Sequence, residues 1–162
     1  MTMTEQSASP QKIVIIGGVA GGMSAATRLR RINEKAEIVV IERGGAVSFA
    51  NCGLPYHVGG VIENRSSLVL QKPEQLKARF NIDVLLRTEA TAINRDARSV
   101  SVTDLETGAS SEISYDALVL SPGSTPFRPP IAGVETAHVL WNLDDMDALM
   151  DTASRATSAV VV

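Results

Sequence analysis

A chain of 162 residues, 44% of them hydrophobic and 20% charged, can bury a real core and has the balance of an ordinary globular domain. Its formal net charge of −3, with no basic run, argues against a nucleic-acid or anionic-membrane surface. One cysteine cannot close an intramolecular disulfide, and with two scattered histidines it gives no metal-ligand cluster.

Residues 1–11 are polar, lack the basic and apolar segments of a signal peptide, and read as a disordered leader. No apolar run approaches the roughly 18 to 20 residues that span a bilayer. A free thiol fits a reducing compartment, so a cytoplasmic location is expected. Lys12–Ile16 is a β-branched run, as in a parallel strand buried on both faces. The loop Gly17-Gly18-Val19-Ala20-Gly21-Gly22 follows, and then a helix over Met23–Ile32. That helix opens with the small residues Ser24, Ala25 and Ala26 and carries Arg28, Arg30 and Arg31 towards its negative end. Glu37–Ile41 is a second buried strand, ending in Glu42, and the three elements make a βαβ unit.

Ser48–Tyr56 holds the only cysteine, Cys52. Pro55 is tolerated only in a first helical turn, so the helix through Tyr56 and His57 is predicted to begin between Asn51 and Leu54. Asn51 is a good N-cap, which places Cys52 in the first turn, where the helix dipole favours thiolate. A lone cysteine can equally be a small buried hydrophobe. His57 is read as a partly exposed helix residue.

Gly59-Gly60 ends that element, Pro73–Phe80 reads as a short helix and Ile82–Leu86 as a short strand. From Thr88 to Tyr115 the alternation, broken at Asn94-Arg95-Asp96 and at Thr107-Gly108, predicts a three-stranded antiparallel meander. Ala117–Leu120 returns to a buried strand, and Ser121-Pro122-Gly123 follows it as a turn. Asp144–Ser154 is predicted helical, capped by Asn142 or Asp144, and Trp141 and Tyr115 are read as packing residues. Ser158–Val162 resembles the opening of another strand, so the chain is expected to be the N-terminal piece of a longer protein.

The loop after the first strand is a dinucleotide-binding fingerprint with one departure. Gly17 and Gly22 take the outer positions of G-x-G-x-x-G, and Val19 stands where the middle glycine is expected. Helix N-terminal N–H groups can still hold phosphates, and Glu42 can bind a ribose hydroxyl pair.

With this loop, Glu42-Arg43 and the run Ser-Phe-Ala-Asn-Cys-Gly-Leu-Pro-Tyr, residues 12–162 closely resemble the single-cysteine branch of the flavin-dependent pyridine nucleotide–disulfide oxidoreductases. The likeness is to the coenzyme A-disulfide reductase group, which includes persulfide reductases with an added rhodanese domain. The resemblance implies an α/β fold: a Rossmann-like FAD-binding domain with a parallel sheet and an inserted antiparallel meander over 12–130. A connector and helix over 131–158 and the first strand of an NAD(P)H domain over 159–162 would follow. It implies FAD held by Gly17, Val19, Ala20, Gly22, Glu42, Arg43, Ala90, Ser121 and Gly123, with Ser121-Pro122-Gly123 equally open to being a plain turn. It implies Cys52 as the redox residue, and Ser24, Arg28, Arg31, Ser48 and Asn51 near a coenzyme A disulfide or persulfide substrate. For the arginines a solvated helix face serves as well. NAD(P)H would be the electron source, and the longer protein a homodimer. Flavin peroxidases and water-forming NADH oxidases of this branch carry a histidine in the loop; here that position is Ala20. An oxidase or peroxidase cycling Cys52 through sulfenic acid is the alternative, and an inactive FAD-binding fragment a second one.

Overall fold

The computed structural model describes residues Pro10–Val161; the leader as far as Ser9, and Val162, lie outside the described residues. Two sheets form. Strands β1 (Lys12–Ile16), β2 (Glu37–Ile41), β3 (Ile82–Leu85) and β7 (Ala117–Leu120) build a parallel sheet in the order β3-β2-β1-β7. Strands β4 (Thr88–Asn94), β5 (Ser99–Asp104) and β6 (Ser110–Ser114) are the predicted antiparallel meander. The register sets Val14 beside Val39 on one side and Leu118 on the other.

Because successive strand side chains point to opposite faces, the continuous apolar runs of β1 and β2 feed two cores at once. Ile13, Ile15, Ile38 and Val40 pack with Met23 and Ala26 of helix α1 (Ala20–Ile32) and Leu76 of helix α3 (Pro73–Phe80). Val14, Val39 and Ile41 pack against Val100 and Val102 of the meander, and Tyr115 joins that layer. A third cluster joins Phe49, Leu54 and Leu68 to Leu143 and Met146 of helix α4 (Leu143–Ala153), beside the short helix α2 (Leu54–Val58). The Arg30 guanidinium donates to the carbonyls of Phe80 at 2.7 Å and Asn81 at 2.9 Å, tying the end of α1 to the end of α3.

Several boundaries differ from expectation. Helix α1 starts at Ala20, three residues before Met23, and takes in Gly21 and Gly22. A Cβ at Gly22 would lie 1.7 Å from the Gly17 carbonyl oxygen. For α4, Asn142 proves to be the cap, its Oδ1 accepting from the Asp145 N–H at 2.8 Å. Trp141 remains 37% exposed, since it precedes that cap and lies outside the clusters. Ala159–Val161, expected as a strand, pair with no neighbour among the described residues and are exposed; a strand needs a partner for its ladder bonds. Among the described residues no helix is long and apolar enough to cross a membrane.

Candidate functional site

The Gly loop joins β1 to α1 at the carboxyl end of the parallel sheet. Gly17 has φ +99°, and its N–H donates to the Ile41 carbonyl at 2.8 Å. Its missing Cβ is a packing requirement as well, because the atom would lie 1.9 Å from the Ser121 carbonyl oxygen. Val19 is the N-cap of α1 at φ −103°, outside the left-handed region, so a β-carbon fits where the fingerprint has its middle glycine. Among the described residues no side chain caps α1, which leaves its first-turn N–H groups facing the loop as anion donors.

Glu42 follows β2 and turns its carboxylate back on the loop. One oxygen accepts from the Gly18 N–H at 2.7 Å and the other from the Gly44 N–H at 2.7 Å. Arg43 is exposed and pairs through Nε with Glu89 at 3.1 Å. Ala90, next to Glu89 in β4, packs against the cluster between sheet and meander, so its backbone is what it can offer a ligand. Ser121 donates its N–H to Ile16 at 2.8 Å, and its Oγ lies close to Gly21. Gly123 takes φ +73° in open space beyond it. The structure thus gathers Gly17, Gly22, Glu42 and Ser121 at one corner, with Arg43 and Ala90 on its meander side.

The cysteine segment is fastened to that corner by backbone. Ser48, itself at φ +51°, donates its N–H to the Gly18 carbonyl at 2.8 Å and accepts from the Leu70 N–H at 2.9 Å. Ala50 donates to Leu68 at 2.8 Å, and Phe49 bridges to Val69. Gly18 therefore touches Glu42 through its N–H and Ser48 through its carbonyl. Cys52 is exposed and lies in a 3₁₀ turn, Asn51–Gly53, ahead of α2. This corrects two expectations. Asn51 makes no capping bond, and Cys52 precedes the first turn of a five-residue helix whose dipole is too small to carry the thiolate argument. Gly53 is the cap; a Cβ there would lie 2.6 Å from Leu68 Cδ2, so the chain turns tightly just after the thiol.

His57 is a further correction. It is buried, 8% exposed, and its Nδ1 lies 2.6 Å from the Ile62 carbonyl oxygen, closing the turn that follows α2. A cleft of about 350 Å³ between α1 and α3 is lined by Val19, Ala20, Ser24, Ser48 and Arg79 among others. Ser24 and Ser48 thus line one cleft, whereas Arg28 and Arg31 stand exposed on α1 outside the lining, and Asn51 stands exposed beside Cys52. Gly18, Gly44 and Arg79 were missed in the sequence; the Gly44-Gly45 pair just after the acid was the available signal.

The pyridine nucleotide-disulphide oxidoreductase family matches residues 11–162. Coenzyme A disulfide reductase of Staphylococcus epidermidis is 37% identical over 153 residues, which is 93% of this chain and 35% of that protein. The reduced CoADR-RHD of Bacillus anthracis superposes with a TM-score of 0.88 at 42% identity, covering 91% of this chain and 27% of the other. A NAD-dependent persulfide reductase from A. fulgidus superposes with a TM-score of 0.83 at 36% identity, covering 88% and 27%. The chain spans about a third of the length of the curated relatives it matches.

Proposed function

Because the chain belongs to the pyridine nucleotide-disulphide oxidoreductase family, we propose that it is the flavin-binding, thiol-bearing part of an NAD(P)H-dependent reductase of coenzyme A disulfide or a persulfide. One observation carries this reading: Gly18 joins the nucleotide corner to the cysteine segment through its two backbone groups, to Glu42 and to Ser48. Likeness to coenzyme A disulfide reductases and to a persulfide reductase supports the substrate class.

The residues at the corner fit FAD. The uncapped first turn of α1 would hold its phosphates, the Glu42 carboxylate would accept from ribose hydroxyls, and the backbone near Arg43, Ala90, Ser121 and Gly123 would border it. Bound there, FAD supplies transfer of two electrons from NAD(P)H to sulfur. The protein's own part is played by Cys52. Its exposed thiolate attacks one sulfur of the substrate disulfide; that S–S bond breaks, a mixed disulfide with Cys52 forms, and the other sulfur leaves as a thiolate that takes a proton. Two electrons and a proton then release the second thiol and restore Cys52. Ser24 and Ser48 hold the substrate in the cleft between α1 and α3, with Arg28 and Arg31 outside it to meet phosphates and Asn51 beside the thiol. A buried His57 bonded to backbone is not the acid–base partner that peroxide reduction would need. In the longer protein the NAD(P)H site and a homodimer contact are assigned to regions that this chain does not include, and a reducing, cytoplasmic compartment suits the free thiol.

Cys52→Ser in the full-length protein is the test. The variant should keep bound flavin yet lose reduction of coenzyme A disulfide by at least a hundredfold. Turnover near the wild-type rate would eliminate Cys52, and NADH oxidation supported by oxygen alone at the same rate would favour the oxidase.

A further inference from the structure

We infer that Arg87 is the positioning residue of the ribose-binding corner: it fixes the Gly44-Gly45 turn that orients the Glu42 carboxylate. The ligand side of this inference rests on the FAD reading above.

Arg87 lies in the turn between β3 and β4, at φ +49°. A residue with a β-carbon persists in that left-handed region only where its surroundings over-determine it. Here they do. The Arg87 N–H donates to the Gly44 carbonyl at 3.1 Å, and the Arg87 carbonyl accepts from Leu105 at 2.7 Å. The next residue, Thr88, donates its N–H to the Glu42 carbonyl at 3.1 Å. The turn is therefore laid directly along residues 42–44.

The side chain adds a second restraint. A Cβ at Gly45 would lie 2.5 Å from Nη2, 2.8 Å from Cζ and 2.9 Å from Nε of Arg87. Three atoms of one planar group at nearly equal distance mean that the guanidinium lies across Gly45. Nη1 donates to Asp144 Oδ2 at 3.0 Å, an exposed contact that orients the plane more than it stabilises it. Gly44-Gly45 is thus held on one side by Arg87 and, through the Gly44 N–H, by Glu42 on the other. The neighbouring Arg43 cannot substitute, since it faces Glu89.

The experiment compares Arg87→Ala, Arg87→Lys and Glu42→Ala in the full-length protein by flavin-fluorescence titration of the apo-protein. Arg87→Ala keeps the backbone bonds to residues 42–44 but removes the guanidinium laid over Gly45, and should weaken FAD binding about tenfold. Arg87→Lys should behave like Arg87→Ala, because an ammonium keeps the Asp144 contact but has no plane to lay on Gly45. In the Glu42→Ala background the same change should add less than twofold. An FAD affinity for Arg87→Ala within twofold of wild type, or a loss that adds fully to that of Glu42→Ala, would overturn the inference. A wild-type apo-protein that binds no FAD would instead sink the flavin reading. Hydrogen exchange in peptides spanning 42–47 still decides the inference in that case: faster exchange in Arg87→Ala upholds it, and unchanged exchange rejects it.

Discussion

Gly17 and Gly123 both hold positive φ, at +99° and +73°, yet their surroundings differ. A Cβ at Gly17 would enter the Ser121 backbone, whereas nothing lies within 4 Å of one at Gly123. Gly17→Ala is therefore expected to cost more than about 2 kcal/mol and to push β7 away from β1. Gly123→Ala should cost only the left-handed preference, about 1 kcal/mol. Urea unfolding of the two variants gives the comparison; equal losses would mean that Ser121 moves aside freely. The same contrast explains Val19, whose negative φ lets a side chain stand where the fingerprint has glycine.

At the scale of elements, α4 is fastened beside the cysteine segment by two kinds of contact. Leu143 and Met146 are buried with Leu54 and Leu68. One turn along, Asp147 accepts from Arg65 Nη2 at 2.6 Å and Nε at 2.8 Å. That hydrogen-bonded pair holds the Asp147 carboxyl below its ordinary value of 3.8 and raises Arg65, with partial burial opposing both shifts. A carboxyl lowered in the folded state contributes stability above its unfolded pKa and loses it as pH falls through the lower folded value. Both side chains are nearly half exposed, so solvent screening keeps the contribution under about 1 kcal/mol. Acidification below about pH 3.8 should loosen α4 before the parallel sheet. Trp141, two residues ahead of Leu143 and the only tryptophan, reports this by fluorescence. Asp147→Asn should show a weaker acid response from an already loosened start; an unchanged acid midpoint would remove the pair from the account.

Across the whole molecule, one parallel sheet supplies a core on each face, so helices and meander cannot come apart independently. Val100 of β5 is fully buried where the meander meets the parallel sheet, packed with Val14, Val39 and Ile41. Val100→Ala should lower stability by about 2 kcal/mol through lost burial and a residual cavity. Hydrogen exchange should then quicken together in β1, β2 and the meander. Quickening confined to β4–β6 would show the meander to be a separate unfolding unit.

Much of this was legible in the sequence because local rules sufficed. Continuous β-branched runs placed β1 and β2 to the residue, Pro73 marked the start of α3, and the turns at Asn94–Asp96 and Thr107-Gly108 marked the meander. Gly17 and Glu42 were named from the sequence because a tight turn followed by an acid at the end of the next strand is a spacing rule. Contacts between distant segments decided the rest. Gly22 has to be glycine because Gly17's carbonyl fills the space of a Cβ, and Gly53, just after Cys52, because Leu68 does the same. His57 is buried and bonded to the Ile62 backbone, and Ser24 and Ser48 line one cleft while Arg28 and Arg31 stay outside it. Periodicity and turn chemistry act over a few neighbours, but Arg87 reaches Gly45 and Asp144 only after the sheet and α4 have brought them together, and no local pattern encodes that meeting.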